Sequence, residues 1–176
     1  GWYGLDSYAP NINGFRSPLW GRGQDTPGDD AYFLTAAYAY EYITGLQGGV
    51  DPQTLKIAAT AKHYAGYDLE NWNGNSRLGN DLKITQQDLA EHYTPQFLAS
   101  ARYAKVGSVM CSYNAVNGVP SCANSFFLQT LLRDTWGFSS EDGYVSSDCD
   151  AVYNVYNPHM YSLNQSGAAA DSLRAG

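Results

Sequence analysis

The chain has 176 residues, of which 14% are aromatic and only 15% are charged, and its formal net charge is −7. A length of this order allows one domain with a buried core, and the acidic balance argues against a nucleic-acid partner, which needs clustered Lys and Arg. No apolar run approaches the roughly 18 to 20 residues that span a bilayer, so no membrane partner is expected. The many uncharged polar positions suit a neutral polar ligand.

Hydrophobic periodicity along the chain predicts strands and helices in alternation. The predicted elements are a strand from Tyr3 to Tyr8, a helix from Ala31 to Leu46, a strand from Leu55 to Tyr64, a helix from Thr85 to about Lys105, a strand from Gly107 to Tyr113, a helix from Asn124 to Trp136, a strand from Gly143 to Asp148, and a helix beginning after Asn164.

Capping patterns mark the ends of two of these helices. The acids Asp29 and Asp30 precede the first helix, and Gly48 follows it, as helix ends require. Thr85 opens a Thr-Gln-Gln-Asp sequence that resembles a capping box, and Pro95 is expected to kink the helix that follows.

Strands that alternate with helices pair in parallel, so the sequence predicts an α/β fold, either a barrel or a doubly wound sheet. Three predicted strands end in polar residues, at Lys62-His63, at Tyr113-Asn114 and at Asp148-Cys149-Asp150. The carboxyl ends of parallel strands meet at one rim, where α/β barrels hold their active sites. No glycine-rich phosphate-binding loop follows any strand, which favours the barrel.

The cysteines Cys111, Cys122 and Cys149 have no metal-ligand spacing. An Asn117-Gly118 turn between the first two would bring them together, which leaves a disulfide and two free thiols as equal alternatives. Asn164-Gln165-Ser166 is a glycosylation acceptor pattern and gives weak support for secretion.

Asp148 stands out as a carboxylate at the end of an apolar strand among small residues. Such a group serves as a nucleophile, a general base or a metal ligand, whereas the structural alternative is a turn or helix-capping residue. Asp150 is an equally good cap and the better candidate for that structural role.

Lys62, His63 and Arg22 are candidate hydrogen-bond donors to a polar substrate. The alternatives are a lysine that extends to solvent, a histidine satisfied in the core and an ordinary surface arginine. Met110 and Tyr113, three residues apart on one predicted strand, should face opposite sides, so that one of them is core.

The segment after Lys62 contains an aromatic residue with two alternative roles and a possible group of metal ligands. Trp72 either stacks on a sugar ring or plugs the loop beneath it. A metal site made of His63, Asp68 and Glu70 matches no known ligand spacing, so neither a metal nor a cofactor is expected.

Five ordered blocks together resemble the family 3 glycoside hydrolases over essentially the whole chain. They are Pro10 to Asn13, Trp20 to Asp30 (WGRGQDTPGDD), Ala61 to Gly66 (AKHYAG), Val109 to Asn117 (VMCSYNAVN) and Gly143 to Asp150 (GYVSSDCD). The Ser-Asp-Cys of the last block is similar to fungal β-xylosidases, whereas β-glucosidases of the family commonly have Ser-Asp-Trp.

The resemblance implies that residues 1 to 176 form part of a TIM-like (β/α)8 barrel, the N-terminal catalytic domain. It implies that Asp148 is the nucleophile. It also implies that further residues hold the sugar, namely Arg22, Lys62, His63, Met110 and Tyr113. Two positions depart from the family, which has Glu where this chain has Asp25 and Asp29. The shorter Asp25 is expected to contact Arg22 or the substrate, and Asp29 to be a helix N-terminal acid.

The same resemblance implies a secreted, retaining, exo-acting β-xylosidase that acts on xylo-oligosaccharides or other xylan-derived substrates. The alternatives are a β-glucosidase, an α-L-arabinofuranosidase of the same family, and a non-catalytic sugar-binding protein. The acid/base residue is expected in a second α/β domain, so these residues alone should be inactive. The missing initiator Met and the abrupt end suggest that both ends are truncated, and a later cysteine is a candidate partner for Cys149.

Overall fold

Parallel β-structure forms the centre of the protein, which the computed structural model describes at residues 5–139 and 143–176. The strands are β1 (Asp6–Ser7), β2 (Ala58–Tyr64), β3 (Asn71–Trp72), β4 (Asn75–Ser76), β5 (Asp81–Leu82), β6 (Ser108–Cys111), β7 (Ala115–Val116), β8 (Val119–Pro120) and β9 (Tyr144–Ser147). The main sheet has the order β1-β2-β6-β9, and all its neighbours are parallel. Because this order follows the chain without reversal, it is the order of a barrel wall and not that of a doubly wound sheet.

Helices connect the strands of the main sheet, and all but α4 fall within or at the predicted helical segments. The α-helices are α1 (Ala36–Gln47), α2 (Gln86–Asp88), α3 (Pro95–Leu98), α4 (Ala151–Tyr156) and α5 (Gln165–Ala175), and π-helical segments run over Ala31–Thr35, Leu89–Tyr93, Ala99–Tyr103 and Phe126–Thr135. Single 3-10 turns lie at Gly23–Asp25 and Ser121–Ala123. Among the described residues, no helix is long and apolar enough to cross a membrane.

Two acids lie at the start of the first helix, and one of them is its cap. Asp30 is the N-cap, and its Oδ1 accepts a hydrogen bond of 2.7 Å from the backbone N–H of Phe33. Asp29 directly precedes this cap at the N-terminal end of the helix, and its Oδ1 lies 3.2 Å from Nε2 of His92. Gly48 ends the helix with φ of 91°, a left-handed conformation that glycine adopts without steric strain.

The long helix predicted from Thr85 exists but is divided. Thr85 Oγ1 accepts from the backbone N–H of Asp88 at 3.0 Å, as a capping box requires, and the Thr85 hydroxyl also donates to the carboxylate of Asp88. The helix breaks at Thr94, whose φ of −118° lies outside the helical range, and restarts with Pro95 at its first position. Proline suits that first position because it has no backbone N–H to donate to the preceding turn.

Three other predictions have mixed outcomes. The strand predicted from Tyr3 to Tyr8 is described only at Asp6–Ser7, and Tyr3 lies outside the described residues. Helix α4 was not predicted at all. Asp150 precedes α4 with φ of 62° and makes no side-chain cap hydrogen bond, so the expectation that it caps a helix through its carboxylate is wrong.

The Asn117-Gly118 turn joins β7 to β8, and both of its residues have positive φ. The turn returns the chain so that Cys111 and Cys122 form a disulfide, with an S–S distance of 2.03 Å. Of the two alternatives left open by the sequence, the structure contains the bonded pair, and Cys149 is an exposed free thiol.

The two faces of the main sheet have different roles. Tyr64 is fully buried towards the helices, with its ring centroid 4.9 Å from that of Phe97 and 5.4 Å from that of Phe127. On the other face the register aligns Lys62 with Met110, and Met110 with Ser146. Since aligned residues of parallel strands point to the same side, this second face carries the polar side chains that lead to the site.

Candidate active site

The carboxyl ends of three neighbouring strands place the predicted site residues together. Lys62 and His63 lie near the end of β2, Tyr113 follows β6, and Asp148 follows β9 directly. The backbone N–H of Asp148 still donates to the carbonyl of Cys111 at 3.2 Å, which extends the β6–β9 pairing to the site. The prediction that these strand ends converge is therefore confirmed.

Asp148 is held by two hydrogen-bond donors and lies close to His63. Its Oδ1 accepts from the Tyr113 hydroxyl at 3.1 Å and from the backbone N–H of Cys149 at 2.8 Å. Its Oδ2 lies 3.5 Å from Nε2 of His63. The side chain keeps 15% of its accessible surface, so the carboxylate is oriented and still reachable by a ligand.

His63 is a neutral imidazole in this environment. Its side chain is 2% exposed, and burial, followed by the positive charges of Arg22 and Lys62, holds its pKa well below the usual value. Nδ1 lies 2.9 Å from Asn13 Oδ1, and Nε2 lies 3.3 Å from Nη1 of Arg22. Because the arginine can only donate, Nε2 is the acceptor and Nδ1 carries the proton. The contact with Asp148 is therefore not an ion pair.

Asn13 fixes the position of that imidazole. Its Oδ1 accepts from the backbone N–H of His63 and its Nδ2 donates to the carbonyl of His63, each at 2.8 Å. Asn13 belongs to the first block of the family resemblance, but its role was not predicted from the sequence. Its signal was only its place in that block, because a partner 50 residues away leaves no local pattern.

Arg22 is oriented by the carboxylate that replaces the family's Glu. Asp25 Oδ2 accepts from Nη2 of Arg22 at 3.0 Å and from Nε at 3.3 Å. The contact predicted for Asp25 therefore exists, with both donors on one carboxylate oxygen. The 3-10 turn brings the two residues together, and it requires glycine at position 23, where an added Cβ would lie 2.2 Å from the Phe15 ring.

Lys62 and Met110 lie side by side on the inner face of the sheet. Burial and the nearby Arg22 lower the pKa of Lys62, while Asp148 opposes that shift. No hydrogen-bond partner is recorded for its ammonium group among residues 5–139 and 143–176, so its donors are available to a ligand. Met110 is 5% exposed and forms an apolar wall beside it.

Tyr113 lies beyond the end of the strand that carries Met110. Strand β6 ends at Cys111, so the alternation of sides from which opposite faces were predicted does not reach Tyr113, and both side chains are buried. The Tyr113 hydroxyl contacts Asp148, while the Arg77 guanidinium lies 4.8 Å from the centre of its ring.

A second polar cluster supports the site and was not found from the sequence. Glu70 Oε1 accepts from the Tyr67 hydroxyl at 2.6 Å and from Trp20 Nε1 at 3.1 Å, while its Oε2 accepts from Arg77 at 3.0 Å. Arg77 also donates to the Tyr67 hydroxyl at 2.9 Å. Glu70 is thus engaged by donors, and no group of three His, Cys, Asp or Glu residues in the described part could hold a metal.

Trp72 lies on the short β3–β4 hairpin between Glu70 and Arg77. It is 55% exposed, which excludes the interpretation that it plugs the loop from beneath. The other alternative of the sequence analysis, an aromatic surface available for stacking, fits this exposure.

These features define a class of protein. An oriented carboxylate at the rim of a parallel α/β sheet, flanked by arginine and lysine donors and by a neutral histidine, is typical of a barrel hydrolase that acts on a neutral polar substrate. The chain belongs to glycosyl hydrolase family 3, since that family's N terminal domain matches residues 3–176.

Known relatives narrow the similarity further. The chain is 77% identical over 176 residues to a probable exo-1,4-beta-xylosidase xlnD of Aspergillus terreus, and 75% identical to exo-1,4-beta-xylosidase xlnD of Aspergillus oryzae. In both cases all of this chain is covered, but only 22% of the relative's length.

Solved structures of family 3 enzymes include one that is similar to this chain in both fold and sequence. A family 3 exo-beta-xylosidase (XlnD), in complex with a xylobiose aziridine activity-based probe, superposes with a TM-score of 0.95 at 73% identity. A beta-glucosidase from Erythrobacter marinus superposes with a TM-score of 0.88 at 32% identity. Each match covers 98% of this chain and 22% of the other.

Proposed function

We propose that the full-length protein is a retaining exo-acting β-xylosidase, with Asp148 as its nucleophile. The observation that carries the proposal is the position of Asp148 at the end of β9, with one carboxylate oxygen held by Tyr113 and Cys149. The other oxygen faces His63 and the neighbouring cations. A carboxylate held in this way is already oriented for attack, so little side-chain freedom is lost when the reaction begins.

In the proposed reaction, an oxygen of Asp148 bonds to the anomeric carbon of a terminal β-xylose while the glycosidic bond breaks. A carboxylic acid from outside these residues protonates the leaving alcohol. Water then attacks the same carbon, gives its proton to that carboxylate, and releases Asp148 and a xylose of retained configuration. Lys62 and Arg22 provide donors for the hydroxyl groups that do not react, and Met110 limits the pocket.

The xylose preference rests on the pattern of similarity. The β-xylosidases of the Aspergilli are 72–78% identical to this chain, whereas the Erythrobacter β-glucosidase is 32% identical. The site residues themselves would serve either sugar, since Lys62, His63 and Arg22 bind hydroxyl groups that glucose and xylose share. Xylo-oligosaccharides are therefore the proposed substrates, and a β-glucosidase or α-L-arabinofuranosidase is the alternative.

Replacement of Asp148 by Asn in the full-length protein tests the nucleophile. We expect β-xyloside turnover to fall by several orders of magnitude with folding preserved, because the amide cannot form the glycosyl ester. Asp150→Asn is the matched control, since Asp150 is exposed and makes no cap hydrogen bond. A 2-deoxy-2-fluoro xyloside should label Asp148 of the wild type. A label on Asp150, or undiminished turnover by Asp148→Asn, would show that the assignment is wrong.

We also propose that the protein is secreted. The Cys111–Cys122 disulfide supports this, because such bonds persist in oxidising compartments. Mass analysis of the culture medium should find the protein there, with the disulfide intact and a glycan on Asn164. A protein confined to the cell would refute the proposal.

A further inference from the structure

A groove of about 500 Å³ lies beside the site, between the β3–β4 hairpin with its following turn and helix α4. We call it the amide groove, because carboxamide side chains dominate its lining: Asn75, Asn80, Asn154 and Asn157. Tyr153 and Ser76 add hydroxyl groups, and the described lining residues include no Asp, Glu, Lys, Arg or His. Such a lining offers donors and acceptors without charge, which matches a neutral ligand rich in hydroxyl groups.

The walls of the amide groove continue directly into the site. On one side, Leu78 of the lining follows Arg77, which stacks on Tyr113. On the other side, α4 begins three residues after Asp148. The two walls meet closely at Gly79, where an added Cβ would lie 2.9 Å from Cγ of Pro158. A ligand in the groove would therefore lie between two segments that are each continuous along the chain with residues of the site.

One buried donor of the lining has no partner within the described residues. Asn154 is 4% exposed and lines the groove, yet its Nδ2 makes no hydrogen bond. A buried amide without a partner is costly, so a native one calls for an explanation such as a bound ligand or a bridging water. Asn157 Nδ2 reaches only the Tyr153 hydroxyl, at 3.3 Å, and keeps further capacity.

Trp72 adds a stacking surface at the edge of the groove. It pairs with Asn75 across the hairpin, and directly paired residues of antiparallel strands point to the same side. Asn75 lines the groove, so the exposed indole of Trp72 flanks the same space. A flat apolar face beside uncharged hydrogen-bonding groups is the combination that a sugar ring requires.

We propose that the amide groove binds neutral sugar units of the substrate that lie beyond the cleaved bond, with Trp72 as their stacking platform. This inference rests on the proposed function, because it extends the same site from a terminal xylose to a longer oligosaccharide. It predicts that chain length contributes to substrate affinity through Trp72 and the groove amides.

The test compares a long substrate with a short one in the full-length protein. The ratio of kcat/KM for xylohexaose to that for xylobiose should fall about tenfold in Trp72→Ala, and less in Asn75→Ala, mainly through KM. Tyr103→Ala is the matched control, since Tyr103 is 58% exposed on a helix outside the groove, and its ratio should equal that of the wild type.

An unchanged ratio in Trp72→Ala would refute the inference. A lowered melting temperature with an unchanged ratio would also refute it, and would show that another part of the protein fills the groove. If the wild type cleaves no xyloside, the proposed function has failed instead. The groove is then judged by calorimetric titration of xylohexaose into Asp148→Asn with and without Trp72→Ala, where equal affinities would exclude it.

Discussion

At the scale of single residues, the proposed reaction depends most directly on the hydrogen bond between Tyr113 and Asp148. The phenol donates to Oδ1 at 3.1 Å, while its ring is held between Arg77 on one side and the edge of Tyr67. Burial, followed by the charge of Asp148, raises the pKa of Tyr113. The hydroxyl therefore keeps its proton and stays a donor throughout the neutral range.

Removal of this hydroxyl should reduce catalysis without unfolding the protein. In Tyr113→Phe we expect kcat for an aryl β-xyloside to fall about tenfold, because Asp148 loses one of the two hydrogen bonds that orient Oδ1. Steady-state kinetics of the full-length protein measures the effect, and Tyr103→Phe is the control. A kcat equal to that of the wild type would show that the backbone N–H of Cys149 is sufficient to orient the carboxylate.

His63 illustrates which interactions of a residue can be read from the sequence. Its place at a strand end next to Lys62 predicted a site residue, and the structure places its Nε2 3.5 Å from the carboxylate of Asp148. Its neutral state and its tautomer follow from Asn13 and Arg22, which are distant in the chain. Only the folded structure brings those partners to it.

At the scale of elements, the sequence predicted strands and helices well wherever they were long or had caps. The Thr85 and Asn164 caps each use a side chain and a backbone N–H three residues apart, and the Asn117-Gly118 turn uses two adjacent residues with positive φ. Helix α4 was missed because its six residues are too few to establish a helical period. Glu70 and Arg77 were missed because their hydrogen bonds cross a polar loop.

The capping box at Thr85 makes the helix that follows β5 a test of local stability. Thr85→Ala should lower the free energy of unfolding by about 1 kcal/mol, since the backbone N–H of Asp88 loses its acceptor. Thermal denaturation of the full-length protein should show a small decrease in melting temperature. Thr54→Ala, at an exposed loop position, is the control and should have no effect. Equal melting temperatures for both variants would contradict the role of the cap.

At the scale of the whole molecule, the sheet is one arc of a barrel wall. In the described residues β1 and β9 are its edge strands, and each has a neighbour on one side only. The candidate site lies near β9, so in the proposed mechanism the chain supplies the nucleophile and the sugar-binding donors on one side of the substrate. The same proposal requires the second carboxyl to approach from the opposite side, about 5 to 5.5 Å from Asp148.

The Cys111–Cys122 disulfide links that wall to the segment that follows it. Cys111 is the last residue of β6, from which the chain continues to Tyr113, and Cys122 lies in the 3-10 turn packed against α4 and α5. The bond therefore constrains the chain on both sides of the loop that carries Tyr113. Its loss should affect the site as well as overall stability.

We expect the double variant Cys111→Ala, Cys122→Ala to lose about 2 to 4 kcal/mol of stability, because the loop of 11 residues gains freedom in the unfolded chain. Thermal denaturation of the full-length protein measures this, and the single variant Cys122→Ala should be destabilised at least as much, since it also breaks the bond and leaves a buried thiol. The disulfide would have no stabilising role if the double variant melted at the wild-type temperature. In contrast, a loss of stability together with a lower kcat would show that the disulfide also holds the loop of Tyr113 in position.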